Sequence, residues 1–205
     1  IPLAVDCDYF RPTSPKMRDG VLHLCSLSRL EKFKGHDFLI HVVSSLPSEY
    51  KKKIFLNIGG NGPYKESLVA LVRDLGLADI IRFNGFIDDD KLCNFYSSAD
   101  IFVLCTREEL GLKNVEGFGL VFVEAQACGT AVIGTRAGGI PDAVKDGEGG
   151  WLIAQDSQKE LSELLMFLID HPEIVAEEGL KARQRAIQEY SWQNYYKALS
   201  GIICR

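Results

Sequence analysis

The sequence has no excess of positive charge, no long apolar run and no closely paired cysteines. Each absence removes a class of protein. Lysine and arginine total 23 against 28 aspartate and glutamate, for a net charge of -5. A dedicated nucleic-acid binder should carry a basic footprint instead. That balance still leaves room for a local basic pocket facing a phosphorylated small molecule. No stretch approaches the ~18 consecutive apolar residues of a membrane span. No basic–apolar–small-residue leader opens the chain. It starts at Ile1, not Met, as an excised piece of a longer protein would. Cys7, Cys25, Cys93, Cys105, Cys128 and Cys204 are scattered, with no C-x-x-C pair. Cys25 and Cys105 lie in apolar runs, which reads as buried thiols in a reducing, cytoplasmic compartment. His23, His36, His41 and His171 share no metal-ligand spacing, so no metal site is expected.

What remains is an ordinary globular composition. The 205 residues are 46% hydrophobic and 25% charged, enough for one domain with a sizeable core. Short apolar runs begin near Val21, Ile54, Ile80, Asp100, Ala131 and Trp151 and read as six strands. Segments with helical spacing lie between them, starting near His36, Tyr64, Asp89, Gly119 and Ile140. From Gln158 to Ile203 the pattern is helical, broken near Pro172 and Ser191. Strict β-α alternation with apolar strands predicts a parallel sheet covered on both faces. The expected fold is α/β: a Rossmann-like, doubly wound, mostly parallel six-stranded sheet with C-terminal helices. Its ligand belongs at the carboxyl ends of the strands, in the loops at residues 28–36, 59–63, 85–90, 106–119 and 135–140.

The densest signal in those loops runs from Glu116 through Gly117, Phe118, Gly119 and Leu120 to Glu124. Gly117 and Gly119 permit close backbone approach. A helix start offers unpaired N–H groups and partial positive charge, which suit a diphosphate. Glu124 falls roughly 7–8 Å along the axis from the helix start, at 1.5 Å per residue. The two carboxylates can then take hydroxyls from two parts of one ligand. Arg29 and Lys34, just after the first strand, can neutralise a phosphate pair. Taken singly, each feature also fits a plain structural role: a helix start with favourable acids, or a solvated loop whose Glu31 pairs with a lysine. Gly138-Gly139-Ile140-Pro141 alone is a good turn into a helix.

Taken together, these motifs resemble a known family. Ser28-Arg29-Leu30 with Lys34-Gly35, Glu116-Gly117-Phe118-Gly119, Glu124 through Gly129, and Gly138-Gly139-Ile140-Pro141 stand in family order and spacing. They resemble the C-terminal half of the GT-B retaining glycosyltransferases of family 4, which includes mannosyl- and glucosyltransferases of cell-wall, lipid and capsule biosynthesis. The resemblance implies an interdomain-linker-like segment over 1–19, a nucleotide-sugar donor-binding domain over 20–188, and a terminal helix over 189–205 that returns towards an N-terminal half. It implies that Glu116 contacts the donor sugar and Glu124 the ribose. Arg29 and Lys34 hold the diphosphate and stabilise the leaving group. Gly117, Phe118, Gly119 and Leu120 form the backbone cradle, and Phe86 and Ile87 lie where the nucleobase sits. No cofactor is implied beyond a nucleotide diphosphate sugar donor, UDP- or GDP-linked. The acceptor is a glycan or lipid held mainly by the N-terminal half, with peripheral membrane association of the whole enzyme and no nucleic-acid partner. The fragment alone is expected to be inactive. The physics of the motif agrees: expelling a diphosphate needs preorganised cations and helix-end amides, which act without a metal.

The sequence also departs from the family pattern. Ala4 replaces the usual linker glycine, the loop Glu108–Val115 is long, and Glu108 and Glu109 add two carboxylates. Two other readings stay open: a nucleotide-sugar binding module without transferase activity, or another GT-B enzyme such as an epimerase or phosphorylase. Asp88-Asp89-Asp90 is expected as the cap and acidic first turn of a helix. His23 is expected in the core or on the sheet face, without a partner. Lys51-Lys52-Lys53 reads as a solvated run. Trp192, Tyr195, Tyr196, Leu199 and Ile203 form a helical stripe suited to packing or docking.

Overall fold

The computed structural model describes residues 3–16, 19–108 and 115–203. Ile1, Pro2, Glu109 and Cys204 lie outside the described residues. Six strands form one sheet: β1 (Leu22–Leu27), β2 (Ile54–Gly59), β3 (Ile81–Gly85), β4 (Ile101–Leu104), β5 (Ala131–Thr135) and β6 (Gly150–Ile153). Their order is β3-β2-β1-β4-β5-β6, and every neighbouring pair is parallel. The winding reverses between β1 and β4, which opens a crevice at their carboxyl ends.

The helices are α1 (His36–Ser45), α2 (Ser48–Lys51), α3 (Lys65–Asp74), α4 (Asp89–Ser97), α5 (Leu120–Ala127), α6 (Ile140–Ala143), α7 (Gln158–Asp170), α8 (Pro172–Glu189) and α9 (Trp192–Ile203). Alternate strand residues supply two cores, as the two-residue period of a strand requires. Leu24, Leu56, Ile58, Ile101 and Val103 pack with Leu39, Leu68, Leu161 and Leu165 on one face. Cys25, Phe102, Leu104 and Val132 pack with Tyr96, Phe122, Val123 and Ala186 on the other. Among the described residues no helix is long and apolar enough to cross a membrane.

Three details differ from the sequence expectation. The chain makes an unforeseen turn of helix at α2 after Pro47. Asp88 stands at the N-cap of α4 with Asp89 and Asp90 in its first turn, as expected, but its side chain makes no capping bond. Its carboxylate pairs with Lys91 instead, because i and i+3 side chains on a helix start face each other. His23 does have a partner: Asp19 lies 3.1 Å from its Nε2.

The entry segment packs closely on the domain. Val5 is buried, its N–H donates to the Tyr190 carbonyl at 2.8 Å, and it bridges Ser191 in parallel register. Arg183 of α8 donates to the carbonyls of Cys7, Phe10 and Ala127.

Candidate functional site

The crevice at the switch point is built from the exits of β1 and β4. After β1, Leu30 is fully buried, and its N–H bonds the Asn61 carbonyl at 2.9 Å, which anchors the turn. Arg29 beside it is turned out to solvent, with Nε 3.0 Å from Glu31. In the plain structural alternative for this loop Glu31 pairs with a lysine, whereas its partner is Arg29. A 3-10 turn over Lys32–Lys34 ends at Gly35, whose φ of 74° suits glycine. A Cβ on Gly35 would also collide with the Cys105 carbonyl, so this turn lies directly on the end of β4. Lys34 is thereby aimed at Glu116, with Nζ 2.5 Å from Oε2. Both side chains are about five-sixths buried.

The loop from Glu116 to Gly119 is held from the opposite side by a glycine pair. The Gly139 N–H donates to the Glu116 carbonyl at 2.8 Å. A Cβ on Gly138 would come within 2.6 Å of that same oxygen, and one on Gly139 would overlap the Gly117 carbonyl. Gly138-Gly139 is therefore a clasp for the acidic loop. Gly119, at φ 84°, starts α5 with no side-chain cap among the described residues. An uncapped helix start is electropositive and rich in donors.

These pieces face one cavity of about 1180 Å³. Arg29, Lys34, Glu116, Gly117, Phe118, Gly119 and Leu120 all line it. Lys145, Arg185 and Tyr190 also line it, and neither Lys145 nor Arg185 was singled out from the sequence. Arg185 is fixed there by donating to the Ala143 carbonyl at 2.8 Å and to Tyr190 Oη. Among the described residues no three histidine, cysteine or acidic side chains cluster to hold a metal ion.

Glu124, Phe86 and Ile87 are not in the lining of that cavity. Glu124 sits further along α5 on the side that meets α4, where Tyr96 Oη donates to its Oε2 at 2.8 Å. Burial pushes the Glu124 carboxyl above the ordinary carboxylate range, and the Tyr96 hydrogen bond opposes that shift. The fully buried Tyr96 is pushed well up by burial and then by the Glu124 charge. Phe86 is exposed. Ile87 lies against the end of β2, where a Cβ on Gly59 would approach its Cγ1 to 2.9 Å. Tyr96 was not singled out from the sequence. Its only signal there is a polar-tipped aromatic on the apolar face of a helix.

Residues 13–189 match the family model described as "Glycosyl transferases group 1". This chain belongs to the group 1 glycosyltransferase family. It is 32% identical over 212 residues to a GDP-mannose-dependent alpha-(1-6)-phosphatidylinositol monomannoside mannosyltransferase of Mycolicibacterium smegmatis, over 99% of this chain and 55% of that protein. The chain thus spans about half the length of such group 1 relatives. The C-terminal domain of a group 1 family glycosyl transferase (LpcC) from Francisella tularensis superposes with a TM-score of 0.77 at 26% identity, covering 92% of this chain and 100% of that one. A sucrose-phosphate synthase from Thermosynechococcus elongatus superposes at 0.83 with 23% identity, over 99% of this chain and 51% of that one. That likeness is one of fold. The observed architecture, a Rossmann-like parallel six-stranded sheet with C-terminal helices, matches the GT-B fold.

Proposed function

We propose that this chain is the donor-binding half of a retaining glycosyltransferase that uses a nucleotide diphosphate hexose. The observation that carries this reading is the convergence of Arg29, Lys34 and the uncapped start of α5 on one cavity beside Glu116. In the transfer, the bond from the anomeric carbon to the diphosphate breaks and the electron pair leaves on the diphosphate. The acceptor hydroxyl oxygen forms the new bond, and its proton passes to an oxygen of the departing diphosphate. Lys34, Arg29 and the α5 amides meet the charge that grows on the leaving group. Glu116 contacts the hexose, Glu124 the ribose, and Phe86 and Ile87 border the base. The GDP-mannose named for the mycobacterial relative makes that donor the first to test. Residues 20–188 form the donor domain, 1–19 the linker, and 189–205 the helix that returns to an N-terminal half holding a glycan or lipid acceptor. The whole enzyme works in the cytoplasm, at the inner face of the membrane.

Calorimetry with GDP, UDP and GDP-mannose, with and without EDTA, tests this reading. One diphosphate should bind in EDTA, and Lys34→Ala or Arg29→Ala should weaken it at least tenfold, about 1.4 kcal/mol or more. Binding that is indifferent to both substitutions would overturn the assignment.

A further inference from the structure

We propose that Arg107 is the positioning residue of the diphosphate turn, the group that sets Lys34 against Glu116. The inference rests on the donor-site reading for its purpose, and on geometry alone for its mechanics.

Arg107 follows β4 by three residues and touches two other loops at the same sheet edge. Its backbone N–H donates to the Phe33 carbonyl at 2.7 Å, in the middle of the 3-10 turn that carries Lys34. Its Nη1 donates to both carboxylate oxygens of Asp37, at 2.8 and 3.1 Å, and approaches the Lys32 carbonyl at 3.3 Å. Its Nε donates to Asp156 at 2.7 Å, in the loop after β6. One guanidinium therefore joins the exits of β1, β4 and β6. Its planar fork suits this, since several donors in fixed directions serve separate acceptors at once.

Two observations indicate that the arrangement is held firmly. Arg107 and Asp37 are both largely buried, and a buried pair broken on one side leaves a costly uncompensated charge. Asp156, with φ 55°, is the one non-glycine residue at positive φ among the described residues. An L residue rarely adopts that conformation, and here its carboxylate accepts from Arg107 Nε. Next to Arg107, the Glu108 N–H donates to Gln155 at 2.9 Å, again in the loop after β6. Arg107 thus braces the turn that carries Lys34 from the ends of β4 and β6. It does not line that cavity itself.

A ligand-free cycle tests the mechanics. Lys34→Ala and Glu116→Ala, alone and together, should show a coupling in melting midpoint of about 2–4 °C, corresponding to one modest ion pair. Adding Arg107→Met should abolish that coupling, and Arg107→Lys should restore part of it, because a single ammonium cannot serve Asp37 and Asp156 together. Should Arg107→Met not fold, Asp156→Asn is read in the same cycle and should at least halve the coupling. A coupling that persists unchanged overturns the proposal. A second cycle uses GDP as the probe: Lys34→Ala should cost at least tenfold in affinity in the parent and less than threefold beside Arg107→Met. Full, additive losses would also overturn it. If Lys34→Ala leaves GDP binding untouched in the parent, the donor-site reading fails, while the ligand-free cycle still decides the role of Arg107.

Discussion

Lys34 and Glu116, 82 residues apart in the chain, meet as one ion pair with Nζ 2.5 Å from Oε2. The pair links the basic and acidic halves of the site before any ligand arrives. A diphosphate reaching Lys34 has to share the ammonium with that carboxylate.

Glu116→Gln should therefore tighten binding of free GDP, by about threefold to tenfold, because it releases a partly buried lysine from a competing charge. The same change should remove any extra affinity contributed by the hexose of GDP-mannose. Paired titrations with the two ligands check this. Weaker GDP binding would mean that Glu116 supports the cradle instead of competing for it.

Tyr96 is the hydrogen-bond donor to Glu124, so Tyr96→Phe should leave that carboxylate buried without its partner. Loss of a bond to a charged group costs about 1.5–3 kcal/mol. GDP should bind at least fivefold more weakly, while inorganic pyrophosphate, which lacks a ribose, should be unaffected. Equal losses for both ligands would count against a ribose-holding role for Glu124.

Gly35 and Gly76 both have positive φ, at 74° and 67°, but they differ in surroundings. Open space surrounds Gly76, whereas a Cβ on Gly35 would strike the Cys105 carbonyl. Gly76→Ala should cost only the backbone term, about 1 kcal/mol. Gly35→Ala should cost several times more, because β4 or the Lys34 turn must move. Urea unfolding of the two variants separates strain from collision.

His36, at the start of α1, is buried, and neither ring nitrogen has a hydrogen-bond partner among the described residues. Burial holds its pKa down, at about 4 against the ordinary 6.5. The unfolded chain therefore takes up a proton below pH 6.5 that the folded protein refuses until about pH 4. Stability from this group is complete above pH 6.5 and falls by roughly 3 kcal/mol as pH drops through that window. Glu124 and Asp100 act in the opposite sense, since burial raises both carboxyls and the folded state takes their protons first. Comparing His36→Leu with the parent cancels those groups. The variant's melting temperature should decline less between pH 7 and pH 5.

The sheet was legible in the sequence because parallel strands buried on both faces read as apolar runs, and glycine marks their exits. Gly119 and the Gly138-Gly139 pair announced turns into helices for the same reason. The meeting of Lys34 with Glu116 was not legible, since no local rule spans 82 residues. Glu124 shows the same limit. Helical spacing places it along α5, but only the packing of α4 turns it towards Tyr96. Gly138-Gly139 read as a turn, and its work as a clasp appears only once the Glu116 carbonyl is set against it. The Arg107 cluster was not legible either, since it joins Lys32, Asp37 and Asp156 from separate parts of the chain.

The bridge between Val5 and Ser191 makes the path between them a closed ring: the chain comes back to the point where it entered. Such a ring has no fixed beginning. A short peptide joining those two positions, with a new break in the exposed turn at Lys52-Lys53, would give a circular permutant with every strand neighbour retained. The order of the β-α units along the gene is thus one of several that the same packing accepts.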